Sequence, residues 1–552
     1  LVLHYLILTL ILTFGAVLRF WRLESKPLWV DEVITAIFSL GQSFQTVPVN
    51  QVLSLTEVQN VLRLNPEASC LDIARTLATE STHPPLFFCV LHESLVMLQG
   101  WGMPLEWQLR ALSAVFGVVA IAALYLLNRL AFDKKAALLG ASVMAVSPFA
   151  VYLSQEARHY TFPLVLITLS LCYWLKICQD IQQQHPPRLG LWLGWGCTSV
   201  LSLYAHYFGA LALVAQGLTL LVVLYQHRGW MGKIWRSFVW PGLVFCLPFS
   251  LLLPWLPLIL AHSTSPKTSW LGRPDLISPV TQTLAGWTVF LVSLPVENQP
   301  LWVQIPAALL TLICVIWAIQ ATIRRLHLLK AHPSLFLLLS YIFWVLLQFF
   351  LIIYGLGKDI SIAPRYNFVY FPALCAVLGV AFTVVLPDLP PALPKASRRL
   401  FPLAAWLLLG MGTVSSLCTL YNLAFQKPYA PELIAQQFTA SGGKMLFIMA
   451  YFDTLTLAVG LSYGLALKRL PPPQPTLEVA LMTVEEDYHT VWPAIAQLAT
   501  HPEIFWFMAP GMVKETYPPQ LALANQVVCV MDDSEYHRLG FPYQLYRCPP
   551  LP

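Results

Sequence analysis

Asp31 and Glu32 stand side by side a dozen residues beyond the first apolar run, in the string Leu28-Trp29-Val30-Asp31-Glu32. Carboxylates in such a position can take a proton from a hydroxyl or help to hold a cation. Arginines recur farther along, at Arg110, in Ser154-Gln155-Glu156-Ala157-Arg158-His159-Tyr160, and in Arg365-Tyr366. Guanidinium groups bind phosphate through charge-assisted hydrogen bonds. Acids that activate a hydroxyl, together with arginines that neutralise a departing phosphate, make a set suited to group transfer. His83-Pro84-Pro85 and the turn Tyr204, His206 and Tyr207 complete the polar clusters.

Each cluster also has a structural reading. Asp31 and Glu32 could cap a loop helix, because acids favour helix N-termini. Pro84 and Pro85 impose an extended approach to whatever follows. Arg110 and Arg365 could snorkel at span ends, and Tyr204 to Tyr207 could belong to an aromatic belt. Glu156 and Arg158 could simply pair, which contributes little at a surface.

The elements that must position these residues are mostly membrane spans. The chain has 552 residues, 57% of them hydrophobic and 11% charged, with mean hydropathy +0.65, far more apolar surface than a soluble core needs. Eleven windows are apolar enough to cross a bilayer: 3 to 21, 108 to 130, 137 to 153, 161 to 178, 190 to 205, 207 to 225, 238 to 261, 301 to 320, 334 to 354, 366 to 386 and 401 to 420. The first reads as a retained span, since it has neither a basic leader nor a small-residue cleavage site. A net charge of +5, with no basic stretch interleaved with aromatics, argues against a nucleic-acid partner. The eleven Cys show no CxxC and no zinc spacing; Cys529 and Cys548 could pair or remain thiols.

Four basic clusters orient the spans: Arg129, Lys134 and Lys135; Arg228, Lys233 and Arg236; Arg324, Arg325 and Lys330; and Lys395, Arg398 and Arg399. They fall on one side, the cytoplasmic one, if the apolar stretch Pro84 to Gly100 lies along the interface instead of crossing. The N-terminus is then cytoplasmic, residues 22 to 107 form a large outer loop, and the C-terminal tail lies outside. After Tyr421 the texture changes: Met445 to Ala450, Glu478 to Thr483, Glu503 to Met508 and Gln526 to Met531 read as buried strands of a small α/β domain. Met445 to Leu467 could instead be a twelfth span, but Asp453, Thr454 and Thr456 favour a strand followed by a helix. Pro471, Pro472, Pro473 and Pro475 read as a linker.

On this topology nearly all the distinctive polar residues share one face and one depth, where ionisable groups are costly unless paired or functional. Acids and arginines gathered there suit transfer of a group from an anionic lipid headgroup. The succession WVDE, HPP, LRALSAVFGVVAIAALYLLNRLAF, SPFAVYLSQEARHYTFPL, YAHYF and PRYNFVYFPAL resembles the dolichyl-phosphate-mannose protein mannosyltransferase family in its broad bacterial branch, part of the GT-C class of membrane glycosyltransferases using polyprenyl-phosphate sugars. The motifs cover about residues 25 to 210 and 364 to 374; the tail after 421 carries none.

That resemblance implies a GT-C membrane domain over 1–420, an extracytoplasmic α/β domain over 421–552, and a cavity beneath the first outer loop. It implies inverting transfer of a sugar from a polyprenyl-phosphate donor to an acceptor hydroxyl, in a bacterial inner membrane. Asp31 would be the base and Glu32 its neighbour. Arg365, Tyr366, Arg158 and Arg110 would meet the donor phosphate. His83, Glu156, His159, Tyr160, Tyr204, His206 and Tyr207 would line the cavity. Some relatives use a divalent metal, for which Asp31 and Glu156 could supply two ligands, too few to assert a site. The short loop at 262 to 300 and the lack of an inserted β-trefoil module leave the acceptor open among protein, lipid and glycan. A transporter or flippase of a lipid-linked or anionic substrate is the alternative class, although internal repeats and mid-membrane charges are not evident. A catalytically inactive scaffold is a third, against which the intact acids and arginines argue.

Overall fold

Proline and chain length decide which apolar windows become full spans. The computed structural model describes residues 2–230, 236–263, 270–384, 402–440, 443–470, 476–524 and 527–549. Lys233, Lys395, Arg398, Arg399, Gln526 and the proline run Pro471, Pro472, Pro473 and Pro475 lie outside them. Among the described residues eight helical stretches are long and apolar enough to cross a membrane: Val2–Phe20, Leu105–Ala131, Thr161–Gln182, Gly209–Gln226, Gly242–His262, Leu301–Leu328, Pro333–Gly355 and Leu403–Leu420. A ninth is the bent pair Lys134–Val146 and Pro148–Ser154. The chain is thus a polytopic helical membrane protein, with eight or nine spans by this measure where the windows suggested eleven. Leu189–Ala205 is a helix of 17 residues and Phe371–Ala381 one of 11. At 1.5 Å per residue these rise about 26 and about 17 Å, against a hydrocarbon core of about 30 Å. Pro364 opens a 3-10 turn, Pro364–Val369, that takes up the start of the window 366 to 386, so its helix begins only at Phe371.

Two compact units emerge, one built from 1–23, 81–87 and 110–425, the other from 24–80, 88–109 and 426–552. In the first, Thr161–Gln182 is the most enclosed span and Leu301–Leu328 is among the most exposed. A 60° bend separates Lys134–Val146 from Pro148–Ser154. Pro148 has no N–H to give the Met144 carbonyl, and the residue before a proline prefers extended backbone, which Ser147 adopts with φ −65° and ψ 122°. The freed carbonyls are not left bare. Arg19, fully buried, donates through Nη2 to Met144 O at 2.9 Å and through Nη1 to Ala145 O at 3.0 Å. Gly117 leaves room for this side chain: a Cβ there would lie 2.8 Å from Arg19 Nε and closer still to Ser154 Oγ. Ser147 Oγ donates to Phe290 O at 2.7 Å, fixing the corner from the other side.

The second unit carries one seven-stranded mixed sheet in the order β1-β3-β2-β4-β7-β6-β5, with β1 Val52–Ser54, β2 Met445–Tyr451, β3 Leu477–Thr483, β4 Ile504–Met508, β5 Gln520–Ala522, β6 Val528–Leu539 and β7 Phe541–Arg547. β2 pairs parallel with both β3 and β4, and the runs Met445–Ala450 of β2 and Ile504–Met508 of β4 are apolar and buried, as central parallel strands require. The stretch after β2 is the helix Thr454–Lys468, begun by Asp453, whose carboxylate accepts from Thr456 N at 2.8 Å. A strand and a crossover helix therefore occupy the place where a twelfth span was conceivable. β7, β6 and β5 add an antiparallel edge, so the sheet is mixed and larger than the four strands expected. β1 comes from the loop after the first span and pairs antiparallel with β3, Val52 opposite Ala480. The stretch 84–100 forms the 13-residue helix Leu86–Leu98, too short to span. Cys70 is bonded to Cys89 and Cys529 to Cys548.

Arg19→Met should orphan two buried carbonyls, each costing about 1–3 kcal/mol. Thermal denaturation in detergent should show a lower midpoint for this variant than for Arg19→Lys, which keeps a donor; equal midpoints would remove Arg19 from the bend.

Candidate functional site

The bend at Ser147 delivers the short helix Pro148–Ser154 into residues 155–160, a polar loop that is almost entirely enclosed. Glu156 is 6% exposed, Arg158 3%, His159 1% and Tyr160 2%. Burying such a loop is costly unless its polar atoms are paired. Gln155 Nε2 donates to Trp21 O at 2.9 Å, and Ser113 Oγ donates to Arg158 O at 2.9 Å. Arg158 Nη2 lies 3.3 Å from His83 Nε2. A guanidinium can only donate, so that imidazole nitrogen accepts, and His83 Nδ1 carries the proton it offers Ser81 Oγ at 2.8 Å. His83 is thereby held as one neutral tautomer.

Two guanidinium groups meet one aromatic ring. Arg158 lies 5.7 Å and Arg365 5.9 Å from the centroid of Tyr160, from separate elements of the chain, within cation–π range. Arg365 and Tyr366 sit on the turn Pro364–Val369. His159 packs against His206 at 4.8 Å and against His83 at 5.2 Å between ring centroids. Burial, then the neighbouring His206, Arg158, His83 and Arg365, lowers the His159 pKa well below its ordinary 6.5. Burial, then His83, Arg158 and Arg365, does the same to His206. His206 Nδ1 accepts the Phe208 N–H at 3.0 Å, a bond that a protonated ring could not accept at that atom.

Beside these rings opens a cavity of about 300 Å³ whose lining includes His83, Tyr160, His206, Tyr207 and Tyr366, with Lys358 and His262. Tyr207 contacts His262 Nδ1 at 3.0 Å and accepts from Trp255 Nε1 at 3.0 Å, while burial pushes its hydroxyl up to about 12. Lys358 and His262 belong to no motif, so the sequence does not mark them; His262 lies near the end of the helix Leu256–Ser263. Tyr204 is not in the lining, its hydroxyl donating to Leu251 O at 2.5 Å. Arg110 is buried and donates through Nη1 to Leu23 O at 2.8 Å.

Asp31 and Glu32 belong to the other unit, in the first turn of the helix Val30–Ser39. Glu32 is 1% exposed and its carboxylate accepts the Trp29 N–H at 3.3 Å, so it caps the helix as acids at N-termini do. Asp31 is half-buried. The Val30 N–H is taken by the Tyr429 hydroxyl, and Lys427 Nζ stands 3.7 Å from the centroid of the Trp29 indole. Among the described residues no group of three or more His, Cys, Asp or Glu is arranged to hold a metal. Asp31 and Glu156, the two acids that the sequence offers as oxygen ligands, belong to separate units.

Residues 82–256 match the family model described as Dolichyl-phosphate-mannose-protein mannosyltransferase, which bears out the resemblance carried by the motifs. No curated protein matches the chain. The crystal structure of ArnT from Cupriavidus metallidurans in the apo state is similar at TM-score 0.52 and 14% identity, covering 99% of this chain and 97% of that one. ArnT from the same organism bound to undecaprenyl phosphate is similar at TM-score 0.51 and 14% identity, covering 98% and 97%. The chain therefore has the fold of ArnT, over nearly its whole length.

If His159 stays neutral when folded but protonates when unfolded, stability is lost as pH falls below 6.5 toward the lowered folded value. The melting midpoint should fall between pH 7.5 and 5.5, and His159→Phe should fall less over the same range; parallel curves would show that the ring does not titrate as described.

Proposed function

We propose that the protein is an inverting membrane glycosyltransferase that takes a sugar from a polyprenyl-phosphate carrier and places it on an acceptor hydroxyl. The observation that carries this reading is the meeting of Arg158 and Arg365 on the Tyr160 ring beside the cavity. Two fixed cations from different elements, among imidazoles kept neutral, suit a phosphate whose charge grows as the sugar leaves. Further support comes from the family match over 82–256 and from the shared fold with ArnT, one structure of which holds undecaprenyl phosphate.

In this reading Asp31 accepts the proton of the acceptor hydroxyl as its oxygen attacks the anomeric carbon on the face opposite the phosphate. The bond between that carbon and the phosphate oxygen breaks, and its electron pair leaves on the polyprenyl phosphate. Arg365 and Arg158 neutralise that charge, with Arg110 bracing the same wall from the start of its span. Tyr366, His83, Tyr160, His206 and Tyr207 shape the cavity, Glu156 and His159 pack behind it, and Tyr204 supports the outer turn. Glu32 holds the helix end that presents Asp31. The assembly of Asp31 with the arginines in one crevice is part of the proposal.

The site lies on the extracytoplasmic side in this reading. Both disulfides fall in the unit that carries Asp31, whereas the seven free cysteines all fall in the other unit. Persisting disulfides belong to oxidising compartments. The sugar and the acceptor are left open, and the lipid carrier is defined only as a polyprenyl phosphate.

Asp31→Asn keeps the shape but loses the base. Incubated with undecaprenyl-phosphate mannose in native membranes, the wild type should release undecaprenyl phosphate and the variant should lose at least about a hundredfold in rate, with carrier binding unchanged. Normal turnover by the variant would refute the base assignment, and passage of intact donor across the bilayer without release would favour the carrier class.

A further inference from the structure

The string 28–32 is held by side chains about four hundred residues away in the chain. Trp29 occupies the N-cap of the helix Val30–Ser39, yet its indole is a donor only and cannot receive a backbone N–H. The first N–H groups of that helix therefore need partners from elsewhere. Glu32 serves Trp29, as described. Val30 N–H donates to the Tyr429 hydroxyl, which lies 3.5 Å from Ser462 Oγ as donor; Ser462 Oγ in turn donates to Leu28 O at 2.6 Å. The relay starts and ends on backbone atoms on either side of Trp29, next to the acid. Every donor in it has an acceptor.

We propose that Tyr429 and Ser462 are positioning residues for Asp31: the relay from Val30 N–H through both hydroxyls to Leu28 O fixes the first turn of the helix and so aims the half-buried carboxylate. The inference rests on the reading of Asp31 as the base and adds to it the part that holds the base still. Three further observations support it. Ser462 lies on the helix Thr454–Lys468, which is anchored against the sheet, where Gly460 permits close approach: a Cβ there would fall 2.8 Å from Leu481 Cδ2 and 3.0 Å from Met449 Cγ. Gly464 on the same helix admits Val58 in the same way, at 2.8 Å. Lys427 over the Trp29 ring clamps the residue that the relay straddles. The tail after 421, which carries no motif of its own, thus supplies the rigid seat for the carboxylate.

The test uses full-length protein and two readouts. Hydrogen exchange of the segment 28–39 needs no substrate; Tyr429→Phe and Ser462→Ala should each speed exchange at the start of the helix by about tenfold, while β2, β3 and β4 stay protected. Release of undecaprenyl phosphate from undecaprenyl-phosphate mannose should show kcat reduced by about tenfold with KM unchanged, since a displaced base affects the transition state and not carrier binding. The double variant should be no worse than either single one, because the relay acts as a unit, and Ser462→Thr should restore the rate. Unchanged exchange, multiplying losses in the double variant, or normal kcat despite faster exchange would each overturn the inference. Asp31→Asn separates it from its premise: an inactive Asp31→Asn beside a fully active Tyr429→Phe overturns the positioning role alone, whereas an active Asp31→Asn overturns the base assignment.

Discussion

Pro148 cannot give the Met144 carbonyl its helical hydrogen bond, and Arg19 donates to that carbonyl instead. A great deal follows from this exchange of partners. Without a donor at that depth, the break would leave the Met144 and Ala145 carbonyls unsatisfied where water is scarce. With Arg19 in place the chain can turn by 60° and bring residues 155–160 into the protein interior. Arg158 then reaches His83 and flanks Tyr160, and His159 packs between two other imidazoles. The site is a property of the bend as much as of the motif.

The same economy appears in the other unit. A helix that begins with an acid pair after a tryptophan has no conventional cap from the N-cap side chain, and the Tyr429 hydroxyl from the tail takes its first N–H while Ser462 donates to Leu28 O. In both places a backbone group left over by a local break is satisfied by a side chain distant in sequence but in the same unit. Enzymes of group transfer depend on fixed directions, because dipoles and charges that need no rearrangement at the moment of reaction stabilise it most.

Much of this was legible in the residues. Eight of the apolar windows correspond to full-length spans, because twenty apolar residues have few other fates. Asp453 marked the end of a strand and the start of a helix, since its capping bond is local. QEARHY, HPP and PRY announced residues that the fold gathers around one cavity, although Tyr204 turns aside to Leu251. What escaped notice depends on long-range partners. Arg19 belongs to none of the motifs, and its role is set by carbonyls about 125 residues away. Tyr429 and Ser462 are ordinary hydroxyl residues until Val30 and Leu28 are placed beside them. β1 and β5 are three residues each, too short for any alternation to register. The window at 366 to 386 reads as a span because hydropathy does not measure where a helix begins after a proline, whereas the window at 190 to 205 is filled by a helix of only 17 residues.

The proposed joint use of Asp31 with Arg158 and Arg365 is tested most directly by a structure of the wild-type protein with undecaprenyl phosphate bound. The expected result is phosphate held by both guanidinium groups, with the Asp31 carboxylate facing the same crevice from the side where an acceptor hydroxyl would enter. Phosphate bound away from Arg158 and Arg365, or a carboxylate turned from the bound headgroup, would contradict it.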